Sequence, residues 1–313
     1  MAKFTQPPLS LDQQIENLIL KGLVIDNPEE AKNTLSFISY FRLKLYQKHF
    51  IGDDNRFSPG TDFNSLINLY SFDRDLKLII FHAIENIEVA IKTLINNQMC
   101  ERYGSHWFLD HNNFRTLQAV NDAPLNDTEA YVKFSHENFI ADLKETCRVG
   151  SQHNFISNYM SAYNDPALPP SWMVFEIITF GTISKIYEYL NDVEVRDNVA
   201  GVFNLTKKML TSWLHCITNI RNICAHHSKL VYTTLIIQPV FPTRSKKKFL
   251  IESDLVVTRR VYSILCCIQH LLSTINTDSI YKQNLLDLID KNPQINYTLL
   301  GFTPNWRDEP LWS

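Results

Sequence analysis

The segment of the chain with the clearest chemical potential covers residues 218–228 and reads TNIRNICAHHS. If it is helical, Asn222 and His226 are four residues apart and share one face. Arg221 precedes Asn222, and its long side chain can reach the same edge of the helix. One surface of the helix then presents a fixed cation, an amide and an imidazole, a combination that indicates a functional site.

Two other interpretations of this segment stay open. Arg221 can pair with an acid at the end of the helix while His226 is satisfied in the core, because a polar group that ends an apolar helix needs a partner or a function. Zinc binding by His226, His227 and nearby thiol or imidazole groups fits no common ligand spacing. We therefore expect neither a metal nor another cofactor.

The elements that position these residues are predicted to be helices, and the fold class all-α. The chain has only 8 glycines, and its 13 prolines cluster in a few places, which leaves long uninterrupted segments. Apolar residues recur at three- and four-residue steps between positions 62 and 103, which predicts one long helix or two with a break. Thr206 can cap the apolar helix that leads into the motif.

Ser10 can cap a helix that runs to about Lys21, and Asp26 or Asn27 can cap a second one. A short helix or turn is predicted at 40–46, and further helices at 131–147, 153–163, from 171, after 181, 253–275 and 278–290. The β-branched residues of 231–243 indicate a short strand or an extended loop. The polar stretch at 52–61 is the best candidate for a boundary. It divides the chain into an N-terminal helical extension, 1–60, and a helical core with inserted loops, 61–313.

The motif at residues 221–227 (RNICAHH) resembles the R-x4-6-H motif of HEPN ribonucleases, with Arg221 and His226 as the named positions. Segments in the same order along the chain resemble the AbiD/AbiF-like abortive-infection (Abi) family of that superfamily. They are FRL at 41–43, FDRDL at 72–76, AIENIEVA at 83–90, ERYGSHW at 101–107, WMVFE at 172–176 and FGTISK at 180–185.

This resemblance implies a HEPN-like helical bundle that cleaves RNA without metal in phage defence and leaves a 2′,3′-cyclic phosphate. His226 would be the general acid or base, Arg221 the phosphate-binding residue and Asn222 an orienting group, with His227 as a second proton-transfer group or a structural neighbour. Because one chain offers one such motif, the resemblance implies a homodimer with a composite site. A small structured RNA would be the regulator.

The alternative functions are a non-catalytic helical RNA-binding protein that grips phosphate with the same motif, and a purely structural helical protein. The net charge of −3 means that any RNA site must be a local basic patch. The candidates for RNA contact are Arg42, Lys44, Arg102, His106, Arg244, Lys246, Lys247 and Lys248. For each of them packing, capping or solvation is the competing interpretation.

The acidic residues of the long helix are interpreted mainly as salt-bridged or solvated. Glu85 and Glu88 are also candidates to line the cleft and orient Arg221. The six cysteines form no C-x-x-C pair, a usage typical of a reducing cytoplasm. We also expect no signal peptide, no membrane span and a cytoplasmic location.

Overall fold

A computed structural model describes residues 7–115, 134–241, 250–276 and 279–313. In these ranges the fold is all-α, as predicted, and the β contacts are isolated bridges rather than strands. The α-helices are α1 (Leu11–Leu20), α2 (Pro28–Phe37), α3 (Tyr40–Gln47), α4 (Phe63–Tyr103), α5 (His136–Val149), α6 (Asn154–Ala162), α7 (Ser171–Ile177), α8 (Phe180–Tyr189), α9 (Val193–Val202), α10 (Lys207–Ala225), α11 (Val261–Ile275), α12 (Tyr281–Lys291) and α13 (Tyr297–Leu300).

The fold is organised around α4, a single helix of 41 residues that is roughly 60 Å long. Asp62 caps its first turn by accepting hydrogen bonds from the backbone N–H and the hydroxyl of Ser65. Gly104 ends it with a φ of 80°, a conformation that glycine adopts without steric cost. Helices α3, α7, α8, α9, α10, α11 and α12 all pack against α4.

Two groups of buried apolar side chains form along α4. The larger one includes most of α4 from Leu69 onward, together with the inner faces of the later helices. The smaller one joins α1, α2 and α3 to Phe63 and Leu66, which belong to the first turn of α4. The predicted N-terminal extension therefore packs onto the same long helix that runs through the larger core.

The helix ends of the N-terminal segment follow the predicted signals. Ser10 and Gln13 form a reciprocal capping box at the start of α1. Asn27 caps α2, with Pro28 at the first helical position. Both caps satisfy backbone N–H groups that a helix start otherwise leaves without partners.

Three segments differ from the sequence expectations. Helix α9 is not predicted by the sequence pattern, because valine, asparagine, aspartate and glycine have weak helix propensity. Asp192 nevertheless caps it, and Val195 and Val199 are buried, so packing stabilises it. Helix α11 begins at Val261 rather than near 253, since residues 253–260 form a 3₁₀ turn and a further turn. The segment 231–241 contains turns and no strand.

No helix in the described ranges combines the length and the apolar character needed to cross a lipid bilayer.

Candidate active site

The motif lies at the carboxyl end of α10. Thr206 caps the start of this helix, as predicted, by accepting a hydrogen bond from the Met209 N–H. At the other end the Ser228 N–H donates to the Ile223 carbonyl at 3.0 Å, and the His227 N–H donates to the Cys224 carbonyl at 3.1 Å. These two bonds form a Schellman motif, which fixes the direction in which the chain leaves the helix.

His227 occupies the left-handed position of this motif, with a φ of 54°. Glycine is the usual residue there, because a side chain makes this conformation less favourable. The strained backbone immediately after His226 is typical of a functional segment that its surroundings hold in place.

Charged side chains from α3 and α4 hold the chain just beyond the motif. The Arg42 guanidinium donates to the His227 carbonyl at 2.8 Å. The Lys77 ammonium donates to the Ser228 carbonyl at 3.0 Å. The two carbonyls that follow the end of α10 thus accept hydrogen bonds from charged donors, which are stronger than neutral ones.

Asp73 is the centre of this arrangement, and its side chain is fully buried. One carboxylate oxygen accepts from the backbone N–H groups of Leu230 and Val231, at 2.9 and 2.5 Å. The other accepts from the Tyr46 hydroxyl at 2.7 Å and pairs with Lys77 at 2.9 Å. Of the two states expected for the acidic residues of the long helix, salt-bridged or solvated, Asp73 has the first.

A cavity of about 610 Å³ opens between α4 and α7. Arg221 lies at one end of it, where its guanidinium stacks over the Phe81 ring at 5.7 Å from the ring centre. The polar or charged lining includes Glu85, Glu88, Lys92, Asn96, Glu176 and Arg221. Arg221 brings the motif into contact with this cleft.

Arg221 forms no ion pair with any carboxylate in the described part of the chain. Glu85 and Glu88 line the cleft beside it, as expected, but neither pairs with it. Glu88 pairs instead with Lys92 at 2.8 Å, and Lys92 also donates to the Ile178 carbonyl. The guanidinium is thus partly buried, supported by an aromatic ring and available to an anion.

The other motif side chains do not line this cavity. Asn222, His226 and His227 are exposed. His226 lies five residues beyond Arg221, which corresponds to about 7.5 Å along the helix and a rotation of about 140°. Asn222 and His226 share a face, whereas Arg221 points toward a different side of α10.

The predicted RNA-contacting residues differ in their distance from the motif and in whether protein groups already pair with them. Arg42 touches the motif through His227, and Lys44 is exposed on the same helix. The Arg102 guanidinium is paired with Asp192 at 3.0 Å and with Glu194 at 2.9 Å. These two carboxylates neutralise it.

Both ring nitrogens of His106 have protein partners, the Ser105 hydroxyl at 2.9 Å and the Leu168 carbonyl at 3.0 Å. These bonds favour the structural interpretation of His106, capping and packing, over contact with RNA. The remaining candidates, Arg244, Lys246, Lys247 and Lys248, lie outside the described residues.

Sequence reasoning missed the role of Phe81 beneath Arg221 and the roles of Lys77 and Lys229 beside the motif. Lys229 donates to the Leu45 carbonyl at 3.1 Å and contacts His49 Nε2 at 2.8 Å. Burial and the neighbouring Lys229 and Lys48 charges lower the pKa of His49 to about 4. The i, i+4 spacing of Asp73 and Lys77 was the available signal for part of this network.

Among the residues described here, no group of three histidine, cysteine, aspartate or glutamate side chains is placed to hold a metal ion.

In comparison with known families, a family model described as Abi-like protein matches residues 33–232. That range includes α3, α4 and the whole of α10 with the motif. No curated protein and no solved structure matches the chain.

Proposed function

The chain belongs to the Abi-like protein family, and on that basis we propose that it is an abortive-infection ribonuclease of the HEPN type. The family name points to abortive infection, a form of phage defence. RNA cleavage, the HEPN assignment and the residues that perform the reaction are parts of the proposal.

The observation that supports this proposal most is the environment of the Arg221 guanidinium. A guanidinium that lines a cleft, rests on Phe81 and forms no described ion pair is available to bind a phosphodiester through two parallel hydrogen bonds. The competing structural interpretation required an acidic partner for Arg221, and no such partner is present among the described residues.

The chemistry we propose is an internal displacement at phosphorus without a metal. The RNA 2′-oxygen attacks the adjacent phosphorus, a 2′-O–P bond forms and the bond from phosphorus to the 5′-oxygen breaks. A base takes the 2′-hydroxyl proton, and an acid returns a proton to the departing 5′-oxygen. The products are a 2′,3′-cyclic phosphate and a free 5′-hydroxyl.

His226 supplies one of the two proton transfers, since imidazole titrates near neutral pH and is exposed here. Arg221 binds the phosphate and stabilises the charge that builds on its oxygens. Asn222, one turn before His226 on the same face, orients the imidazole or the phosphate. His227 acts through its backbone, which sets the end of α10.

A second proton-transfer group has to come from elsewhere, because each chain carries one such motif. The different directions of Arg221 and His226 on α10 also favour a site completed by a second copy of the chain. We therefore propose a homodimer in the cytoplasm, with RNA as substrate and a small structured RNA as regulator.

Arg42 and Lys44 are the candidates for backbone contact beside the motif, and Arg244, Lys246, Lys247 and Lys248 are further ones. Arg102 and His106 are weaker candidates, because Arg102 is paired with Asp192 and Glu194 and both ring nitrogens of His106 have protein partners.

The second candidate function is RNA binding without cleavage. The position of His226 outside the cleft that contains Arg221 favours it, because phosphate binding needs only the guanidinium. This protein would be a scaffold or sensor in a ribonucleoprotein.

One experiment separates the two functions. The purified protein and its His226→Ala variant are incubated with mixed RNA in EDTA, and the RNA ends are analysed. Cyclic-phosphate ends with the wild type that disappear with the variant support the ribonuclease. Intact RNA that both proteins bind equally would leave only the binding function. The absorbance ratio at 260 and 280 nm shows whether RNA co-purifies at all.

A further inference from the structure

The far end of the cleft carries a second feature that is suited to nucleic acid. Trp172 of α7 lines the cavity, and its side chain is 50% exposed. A large aromatic ring that a fold leaves half uncovered in a concave surface is a stacking platform for a base. Nothing in the proposed reaction makes use of it.

The orientation of α7 fixes where Trp172 lies along the cleft. Ser171 Oγ is 3.0 Å from Cys100 Sγ, near the carboxyl end of α4. The Ile178 carbonyl, just past the other end of α7, accepts from Lys92. Helix α7 therefore runs antiparallel to α4, and Trp172 lies near Asn96 and Asn97, whereas Arg221 lies near Phe81.

This separation is too large for one nucleotide. Phe81 and Asn97 are sixteen residues apart on α4, which is about 24 Å along the helix. Arg221 and Trp172 are therefore separate subsites, and a short single-stranded segment is needed to reach both. The exposed carboxylates between them would repel phosphates, so that the segment would turn its bases toward this part of the cleft.

The carboxylates also indicate which base edge would be accepted. Glu176 is four residues after Trp172, so both side chains project from one face of α7 into the cavity. Glu85, across the cleft, is exposed and forms no described ion pair. Among the ion pairs of the described residues, one neutralises a carboxylate of the cleft, that of Glu88 with Lys92. A free carboxylate beside a stacking ring accepts two adjacent N–H donors best.

We propose that Trp172 and Glu176 form a guanine subsite for single-stranded RNA, at a distance of a few nucleotides from the phosphate at Arg221. The base stacks on the indole, and its N1–H and N2 amino group donate to the two oxygens of Glu176. Adenine and cytosine place a ring acceptor beside their amino group, and uracil has one N–H between two carbonyls. This inference rests on the proposed RNA function and adds a specificity to it.

The test measures binding in a His226→Ala background, which prevents cleavage of the probes. Short fluorescent uridine oligoribonucleotides carry a single guanine, adenine or cytosine, and the Kd of each is obtained by fluorescence anisotropy. We expect the guanine probe to bind tightest. Trp172→Ala should weaken its binding at least fivefold, and Trp172→Phe should retain most of it.

Glu176→Gln should reduce the preference for guanine over adenine by about tenfold, while the uridine-only probe binds as before or more tightly. The matched controls are Tyr163→Ala, another exposed aromatic residue, and Glu137→Gln, another exposed carboxylate, and neither lines the cleft. They should leave every Kd unchanged.

Different results would contradict the guanine subsite and the proposed ribonuclease activity. If Arg221→Ala weakens binding while the Trp172 and Glu176 variants do not, the guanine subsite is wrong and the phosphate site stands. If those variants change binding as expected while the wild type leaves RNA intact in the cleavage assay, the subsite stands and the ribonuclease is wrong. Equal binding of all probes, or binding of none, overturns the subsite.

Discussion

Arg42 Nη1 donates a hydrogen bond of 2.8 Å to the carbonyl of His227, which is 185 residues away in the chain. The donor belongs to the N-terminal helices, and the acceptor lies immediately after the imidazole of His226. The position of that imidazole therefore depends on a segment that contributes no side chain to the cleft.

Replacing Arg42 by alanine should lower RNA cleavage more than it lowers stability. The loss of one partly exposed charged hydrogen bond costs about 1 kcal/mol of folding free energy, whereas the end of α10 loses its external support. We expect the kcat of RNA cleavage to fall severalfold, with little change in Tm. Arg56→Ala, which removes an exposed arginine from the same N-terminal segment, is the matched control, and an equal effect of the two variants would argue against positioning through His227.

Asp73→Asn should destabilise the whole protein. The substitution leaves Lys77 buried without a counter-charge, and in either orientation the new amide turns its NH2 group toward a donor, the backbone N–H groups of Leu230 and Val231 or the ammonium of Lys77. Removing one partner of a buried pair costs about 3–5 kcal/mol. Urea unfolding measures this loss. Asp75→Asn, which changes an exposed carboxylate two residues away, should have almost no effect.

His49 should make stability depend on pH. Burial lowers its pKa from 6.5 to about 4 in the folded protein, so the unfolded chain binds the extra proton more readily between these values. The stabilising contribution is complete above pH 6.5 and is lost as the pH falls toward 4. Its size is roughly 1–2 kcal/mol once partial exposure is allowed for.

The measurement is the difference in Tm between wild type and His49→Gln across this range of pH. Other groups titrate there too, including His270, whose pKa burial also lowers. The difference between the two proteins isolates His49. Parallel Tm curves would show that His49 does not contribute.

Phe81→Ala should weaken RNA binding by about threefold to fivefold, because Arg221 loses the ring on which it rests. Phe81→Tyr keeps the aromatic face and should behave like the wild type. Leu78→Ala, which truncates another exposed apolar residue of α4, is the control for a general surface effect. Loss of binding in the control but not in Phe81→Ala would contradict the role of the stack.

Much of the fold follows from local signals in the sequence. The caps at Ser10, Asn27 and Thr206 and the apolar spacing of α4 are local, and the structure bears them out. Local signals do not predict helix α9, because its stability comes from the packing of Val195 and Val199 rather than from helix propensity.

The candidate site also has a part that local sequence signals predict and a part that they do not. Its chemical residues are adjacent in sequence, so a motif finds them. Their support is not local: Arg42 and Asp73 reach the motif across more than a hundred residues, and the stack of Arg221 on Phe81 depends on how α4 and α10 cross. No spacing rule predicts contacts of that kind.

The length of α4 has a consequence for the cooperativity of folding. Its first turn completes the small cluster with the N-terminal helices, and the rest of it runs through the large core. A helix that is shared in this way couples the two clusters energetically. We expect amide hydrogen exchange to show them opening together as one cooperative unit, so that a ligand bound to either cluster protects both.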